Sequence, residues 1–496
     1  PKGKAGALTI PEGVIEIGSE AFVGCWNLES VLLPSSVSKI QTTYLTVGNS
    51  YSSIDVPPTF AGCSSLQSIL VAADNVTYSS RDGILYDKSG SVLLSCPNGR
   101  AGTVDIPHDV TGIGSCAFRG CAGIESVLIP SSVTSVGKDA FLGTKIVDEH
   151  PEGCVVIDGC LIGYKGNSPN NLDIPDDVRL IADSAFEQIT DLQTVTFPSG
   201  LHGIGKRAFS DCSGLTSLAI PESVMEIGEY AFFGCTGLTQ VSLPSGLEKI
   251  EDGVFAQCER LQSLSIPGKV KSIGAESFCG CIGLTSVTIP SSVTIVGDDA
   301  FESCWGLASV EIPLGVTCIG ARAFMSCGNL TSVKIPLGVM VIGDYAFEGC
   351  ENLIEVVIPS SVARIGHLAF ASCSRLASVE IPTSEANIFD TAFYGCNDLA
   401  DAQGFVIVGK TLYQYMGAAT SVTIPDGITR IGGYAFTGCG GLVNVEIPRS
   451  VTRVGDYAFD WCCELASMTV PSSVRSIGSS AFYECSGLSS AIIPEG

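Results

Sequence analysis

The feature that most constrains this chain is a period. Residues 280–302 (GCIGLTSVTIPSSVTIVGDDAFE), 303–325 (SCWGLASVEIPLGVTCIGARAFM) and 326–348 (SCGNLTSVKIPLGVMVIGDYAFE) are three versions of one 23-residue unit. The unit reads C-x-x-L-x-x-V-x-I-P-x-x-V-x-x-I-G-x-x-A-F. Its phenylalanine recurs without a break from Phe186 to Phe393. The same column holds Phe22, Phe60, Phe118 and Phe141 before that run, and Phe436, Phe459 and Phe482 after it, for seventeen copies. A unit this short cannot bury its apolar face alone, so a fixed period of this length specifies a solenoid whose coils bury themselves only against their neighbours. Residues 1–496 are therefore expected to form one solenoid.

Each position has a physical reading. Leu284, Val287 and Ile289 suit a turn entering a short strand. Pro290 lacks an N–H and ends the ladder. Val293 and Val296 continue the inward set, and Gly297 permits a sharp turn. Asp298 and Asp299 fall where a helix N-terminus favours negative charge. Ala300 and Phe301 then open a short helical return. The expectation is an α/β repeat solenoid of strand, turn and helical return. Coils spaced about 4.8 Å apart would give a curved rod on the order of 90 Å long.

The unit resembles the leucine-rich repeat of the BspA-like (treponemal-type) family, with its Leu-x-x-Val-x-Ile-Pro and Ile-Gly-x-x-Ala-Phe segments. The resemblance runs through nearly the whole chain. It implies a leucine-rich-repeat solenoid, secreted or surface-exposed, that works in adhesion and protein binding.

Four inserts interrupt the phenylalanine spacing. The first, at 41–58, is a polar Ser/Thr/Tyr-rich loop; those at 73–105, 145–172 and 400–421 read as β-hairpins. GCVVIDGCLIGYKG (Gly153 to Gly166) aligns without a gap on GFVIVGKTLYQYMG (Gly404 to Gly417), and Asp158-Gly159 is a strong hairpin-turn signal. This alignment decides the meaning of Gly404–Thr411, which matches the phosphate-loop pattern G-x-x-x-x-G-K-[ST]. A phosphate loop needs a cradle of backbone N–H groups opening into a helix. Phe405 to Val408 instead read as a strand, LYQYMGAATSVTIP beyond the match is not a helix, and Lys410 falls on a hairpin turn. No cofactor is expected.

The remaining chemistry is sparse. Fifteen of the 22 cysteines stand three residues after the repeat phenylalanine, from Cys25 to Cys485, with Thr144 and Ile189 in the two copies that differ. One thiol per coil at a fixed place is a buried packing column. The others (Cys96, Cys116, Cys154, Cys160, Cys279, Cys318 and Cys463) show no C-x-x-C or zinc spacing. His108, His150, His202 and His367 lie on different coils, where a catalytic constellation would need them to converge. The formal charge of −25 opposes nucleic acid and anionic lipid, and no run of about 18 apolar residues suggests a membrane span. An enzyme is not expected.

A partner would meet the strand face, where one outward side chain per coil forms a lane: Thr196, Ala219, Ser242, Ser265, Thr288, Glu311, Lys334, Val357 and Glu380. The hairpins offer Tyr86, Tyr164, Tyr413 and Tyr415 as aromatic contacts. The expected function is non-catalytic binding of a protein or glycan at the cell surface or after secretion. The alternative is a structural protein that self-assembles into a filament or extracellular matrix through uncapped ends, since the chain opens at ALTIPEG and closes at SAIIPEG, both in mid-unit, as a fragment of a longer chain also would.

Overall fold

The structure, a computed structural model, describes residues 6–41, 45–46, 53–54, 59–381 and 387–492. The chain packs as two compact units, Pro1–Cys235 and Thr236–Gly496. Each is a leucine-rich-repeat β-solenoid of stacked coils.

A coil contains two short strands where the sequence predicts one. In the second unit Ser286–Thr288 lies parallel to Ser263–Ser265, with Val287 opposite Leu264. The chain then turns at Pro290, whose carbonyl accepts the Val293 N–H at 3.1 Å. A two-residue strand, Ile295–Val296, follows and pairs in parallel with Ser272–Ile273 and Cys318–Ile319. The first unit repeats the plan: Asn171–Asp173 against Thr194–Thr196, and Leu180–Ile181 against Gly203–Ile204. The consensus apolar positions of this coil point inward; Leu284, Val293, Ala300, Phe301 and Cys304 are fully buried.

The helical return is not there. Among the described residues the helices are Lys145–Asp148, capped by Thr144, and the 3₁₀ turn Asn397–Leu399, each on the way into an insert. Hydrogen-bond accounting gives the reason. Asp299, Phe301 and Ser303 donate their N–H groups to the next coil, at Ala321, Ala323 and Met325, each at 2.8 Å. Glu302 and Cys304 close local turns instead, to Asp299 O at 3.1 Å and to Phe301 O at 3.3 Å. An α-helix needs all of these N–H groups for bonds four residues back. Turning alternate peptides toward the next coil places Asp299 and Ser303 in the left-handed region, at φ 58° and 57°. Each such non-glycine residue costs roughly 1–2 kcal/mol, which the inter-coil bonds and the burial of Phe301 must offset.

Two expectations for single residues change with this. Asp298 and Asp299 meet no helix N-terminus: the Asp298 carboxylate accepts the Ala321 N–H at 2.7 Å, and Asp299 is forked by the Arg322 guanidinium at 2.5 and 3.0 Å. The repeat glycine serves close approach rather than a special φ, since neither Gly297 nor Gly320 is left-handed. A Cβ on Gly320 would sit 2.5 Å from the Gly297 carbonyl oxygen.

The phenylalanines stack nearly face to face down each run. Phe301 and Phe324 have ring centroids 5.3 Å apart and an interplanar angle of 3°, and Phe186 and Phe209 are 5.1 Å apart at 10°. Beside them the cysteine thiols form a second ladder. Cys304 Sγ donates to the Phe278 carbonyl at 3.2 Å, Cys327 to Phe301 at 3.2 Å, and Cys212 to Phe186 at 3.2 Å. In these coils a cysteine thus ties a return to the one before it.

At the inserts, antiparallel pairs join the stack. These are Tyr78–Arg81 with Ile84–Asp87, Gly153–Ile157 with Cys160–Lys165, and Phe405–Val408 with Thr411–Tyr415. Ile84–Asp87 also pairs antiparallel with Val92–Ser95. The polar loop expected at 41–58 lies mostly outside the described residues; within it Leu45–Thr46 pairs antiparallel with Ser53–Ile54.

Two substitutions separate the return seen here from a helical one. Gly320→Ala is expected to lower unfolding stability by about 1–3 kcal/mol through overpacking. Ser303→Gly is expected to raise it by about 1 kcal/mol by relieving the left-handed residue. Denaturant melts of both variants check this, and a loss in Ser303→Gly would contradict the turn geometry.

Candidate binding surface

The outward column of the first strands builds the surface of the second unit. Thr288, Glu311, Lys334, Val357 and Glu380 end the strands Ser286–Thr288, Ser309–Glu311, Ser332–Lys334, Glu355–Val357 and Ser378–Glu380, and all five are exposed. Register sets Glu311 opposite Lys334 and Val357 opposite Glu380. The Glu311–Lys334 pair is 3.8 Å apart with both side chains 80% exposed, so it contributes little to stability. Both charges therefore stay open to an incoming partner. Val357 presents an apolar side chain, 53% exposed, between them and Glu380. The parallel column reads Ser286, Ser309, Ser332, Glu355 and Ser378, small and polar but for the carboxylate of Glu355. In the first unit Thr196 and Ala219 occupy the same outward place. Threonines just before the strands tie coil to coil: Thr285 and Thr331 donate to the carbonyls of Gln262 and Ala308, both at 3.1 Å.

For three of its four tyrosines, the aromatic contact surface expected from the hairpins is overturned. Tyr86 and Tyr413 are 1% exposed and Tyr415 is 6% exposed. The reason is the phenylalanine column. An insert interrupts it, and hairpin aromatics fill the interruption: Tyr413 packs edge-on against Phe393 at 5.3 Å, and Tyr415 packs against Phe436 at 5.4 Å. Tyr86 joins the core cluster that contains Phe118. Tyr164 is half-buried and lines a cavity of about 340 Å³ with Val147, Phe141 and Lys165.

Gly404–Thr411 is strand, turn and strand. Phe405–Val408 and Thr411–Tyr415 pair antiparallel, Gly409 takes φ 61°, and Lys410 is exposed with its carbonyl accepting from Thr429 and Arg430. No N–H cradle leads into a helix there.

None of the 22 cysteines is joined in a disulfide. Burial pushes the thiols of Cys212 and Cys350 up to about 12, so they stay protonated and make poor nucleophiles. His367 shares a 2.8 Å hydrogen bond with Thr391, and its ring meets Tyr345 edge-on. Among the described residues no three His, Cys, Asp or Glu side chains gather as a metal site, and no helix is long and apolar enough to cross a membrane.

One carboxyl stands out. Burial raises Asp183 from 3.8 to about 6, even though its Oδ1 accepts the Lys206 N–H at 2.7 Å. The unfolded chain gives up this proton near pH 4 while the folded chain keeps it to about pH 6, so ionisation costs stability between those values and the loss persists above them. Asp183→Asn keeps the acceptor and removes the charge. The variant should melt higher than the parent at pH 7, and the difference should shrink as pH falls to 4. A difference independent of pH would mean that the carboxyl titrates normally.

The chain matches the family profile described as "BspA type Leucine rich repeat region" over residues 4–82, 97–150, 163–285, 271–400 and 406–496. No curated protein matches its sequence. Among solved structures it is similar to a leucine-rich repeat protein from Bacteroides ovatus, with 27% identity, 81% of this chain and 97% of that chain covered, and a TM-score of 0.46. It is also similar to a leucine rich cell surface protein from Faecalibacterium prausnitzii, with 28% identity, 65% and 90% covered and a TM-score of 0.43. A third is the Treponema pallidum leucine rich repeat protein, with 27% identity, 43% and 89% covered and a TM-score of 0.23. With its repeat unit, its stacked coils and a profile matched over most of its length, this chain belongs to the BspA-type leucine-rich-repeat family.

Proposed function

We propose that the chain is a non-catalytic binding module, working at a cell surface or in secreted form, that engages a protein or glycan partner through its strand face. The observation that carries this reading is the outward lane of the second unit. Glu311, Lys334 and Val357 stand exposed on three neighbouring strands whose positions are set by backbone ladders and a buried core. None of the three side chains contributes to that core, so the face is free to vary in chemistry while the scaffold keeps it rigid. Family membership supports the surface setting. The chemistry available on this chain also fits: the column thiols are buried, and the histidines lie on separate coils.

The double variant Lys334→Glu/Val357→Asp tests the reading. Being at the surface, both changes should leave stability within about 0.5 kcal/mol. Binding of the purified chain to arrays of extracellular-matrix proteins and glycans should fall at least tenfold. If the parent binds and the variant binds equally well with an unchanged melt, the strand face is not the recognition surface.

A further inference from the structure

The second unit holds a notch of about 680 Å³ where the insert at 400–421 rejoins the coils, and three arginines, Arg430, Arg453 and Arg475, line it. The first unit has the equivalent notch, about 310 Å³, at its insert 145–172. Backbone bonding fixes the equivalence. Arg179 and Leu180 donate to Gly159 O at 2.8 and 3.3 Å, and Thr429 and Arg430 donate to Lys410 O at 2.9 and 3.3 Å. Strand register extends it, because Leu180 pairs with Gly203 as Arg430 pairs with Arg453. Leu180, Gly203 and Met225 of the first unit thus correspond to Arg430, Arg453 and Arg475 of the second. One seam is built with three uncharged residues and the other with three guanidinium groups, so the fold itself does not call for the arginines.

The two notches also differ in what fills them. In the first unit Arg179 narrows the gap by donating to the carbonyls of Val133, Pro130 and Ile129 at 2.9, 3.0 and 3.2 Å. Thr429 stands in its place in the second unit and bonds back to Lys410 O, which leaves the notch open. The arginines there are lightly engaged. Arg430 reaches the Ile388 carbonyl at 3.4 Å, and Arg453 meets Asp390 at 3.5 Å while remaining 55% exposed. Among the described residues Asp390 is the one carboxylate of the lining, against three guanidinium groups, on a chain with a formal charge of −25.

We infer that this notch binds the carboxylate of a small acidic saccharide. Guanidinium forks match a carboxylate in two-pronged geometry. The volume lies in the range of small-ligand clefts, about 300–1,000 Å³, and far exceeds an isolated inorganic anion. Asn387, Thr452 and Ser476 supply amide and hydroxyl partners for ring hydroxyls, and the ring of Phe389, 38% exposed and held by Arg364 at 5.3 Å, borders the notch. The acidic remainder of the chain repels a long polyanion, which favours a short saccharide over an acidic peptide or a nucleic acid. The site is separate from the strand face and does not depend on it.

Calorimetric titration of the full chain with trigalacturonate and sialyllactose, with lactose and hexaglutamate as controls, tests the inference. At least one acidic saccharide should bind, more weakly as salt rises, and lactose should not. The variant Arg430→Leu/Arg453→Gly/Arg475→Met installs the first unit's own residues, so it should melt like the parent while its affinity falls at least tenfold. The single variant Arg475→Met, at an exposed position, should fall part of the way and covers the case in which the triple variant is unstable. Silence of both acidic saccharides at millimolar concentration overturns the proposal. So does equal binding by the Arg475→Met and parent chains, or tighter binding of hexaglutamate than of either saccharide.

Discussion

Alternate peptide groups of the return, turned toward the next coil, are the constraint on which the rest of the structure depends. Asp299, Phe301 and Ser303 donate across the coil boundary, and left-handed residues on either side of Phe301 allow it. Once those bonds form, the spacing between coils is fixed for the phenylalanine and cysteine columns as well. The rings then stack at 4.9–5.9 Å, as offset aromatic pairs prefer. The thiols find a carbonyl near 3.2 Å in the coil before. Stability in such an array is close to a sum of neighbour terms, so one disturbed return is felt by its two adjoining coils and little further.

The inward columns are legible in the sequence because burial imposes a periodicity that survives any detail of backbone geometry. Leu284, Val287, Val293, Phe301 and Cys304 can be placed inside from the repeat alone, and they are inside. The return is misread because local sequence carries no sign of where an N–H will find its acceptor. Gly-Asp-Asp-Ala-Phe suits the start of a helix, and nothing in it shows Ala321 and Ala323 waiting one coil away. Gly297 reads as a conformational glycine for a related reason: a close approach between neighbouring coils exists only when the coils are stacked.

The candidate surface divides along the same line. Exposure of Thr288, Glu311, Lys334, Val357 and Glu380 follows from strand alternation, which the sequence displays directly. The hairpin tyrosines read as outward because loops on rigid scaffolds commonly carry binding. That rule gives way to a stronger demand. At the 400–421 insert the column opens between Phe393 and Phe436, and aromatics of the insert cover the two rings. Tyr413 against Phe393 and Tyr415 against Phe436 meet that demand.

The 400–421 insert therefore acts first as a seal, and its seam shows where new chemistry can arise. A regular coil gives each outward position two near-identical neighbours, so its surface is a flat lane. A seam breaks this equivalence, because an antiparallel pair replaces a coil on one side and leaves a step in the second-strand sheet. The first unit narrows its step with the Arg179 guanidinium, bonded to three carbonyls. The second unit places Thr429 there and lines the step with guanidinium groups instead. In a repeat protein whose core columns tolerate little change, such steps are where concave, chemically distinct sites can form without disturbing the ladder beneath them.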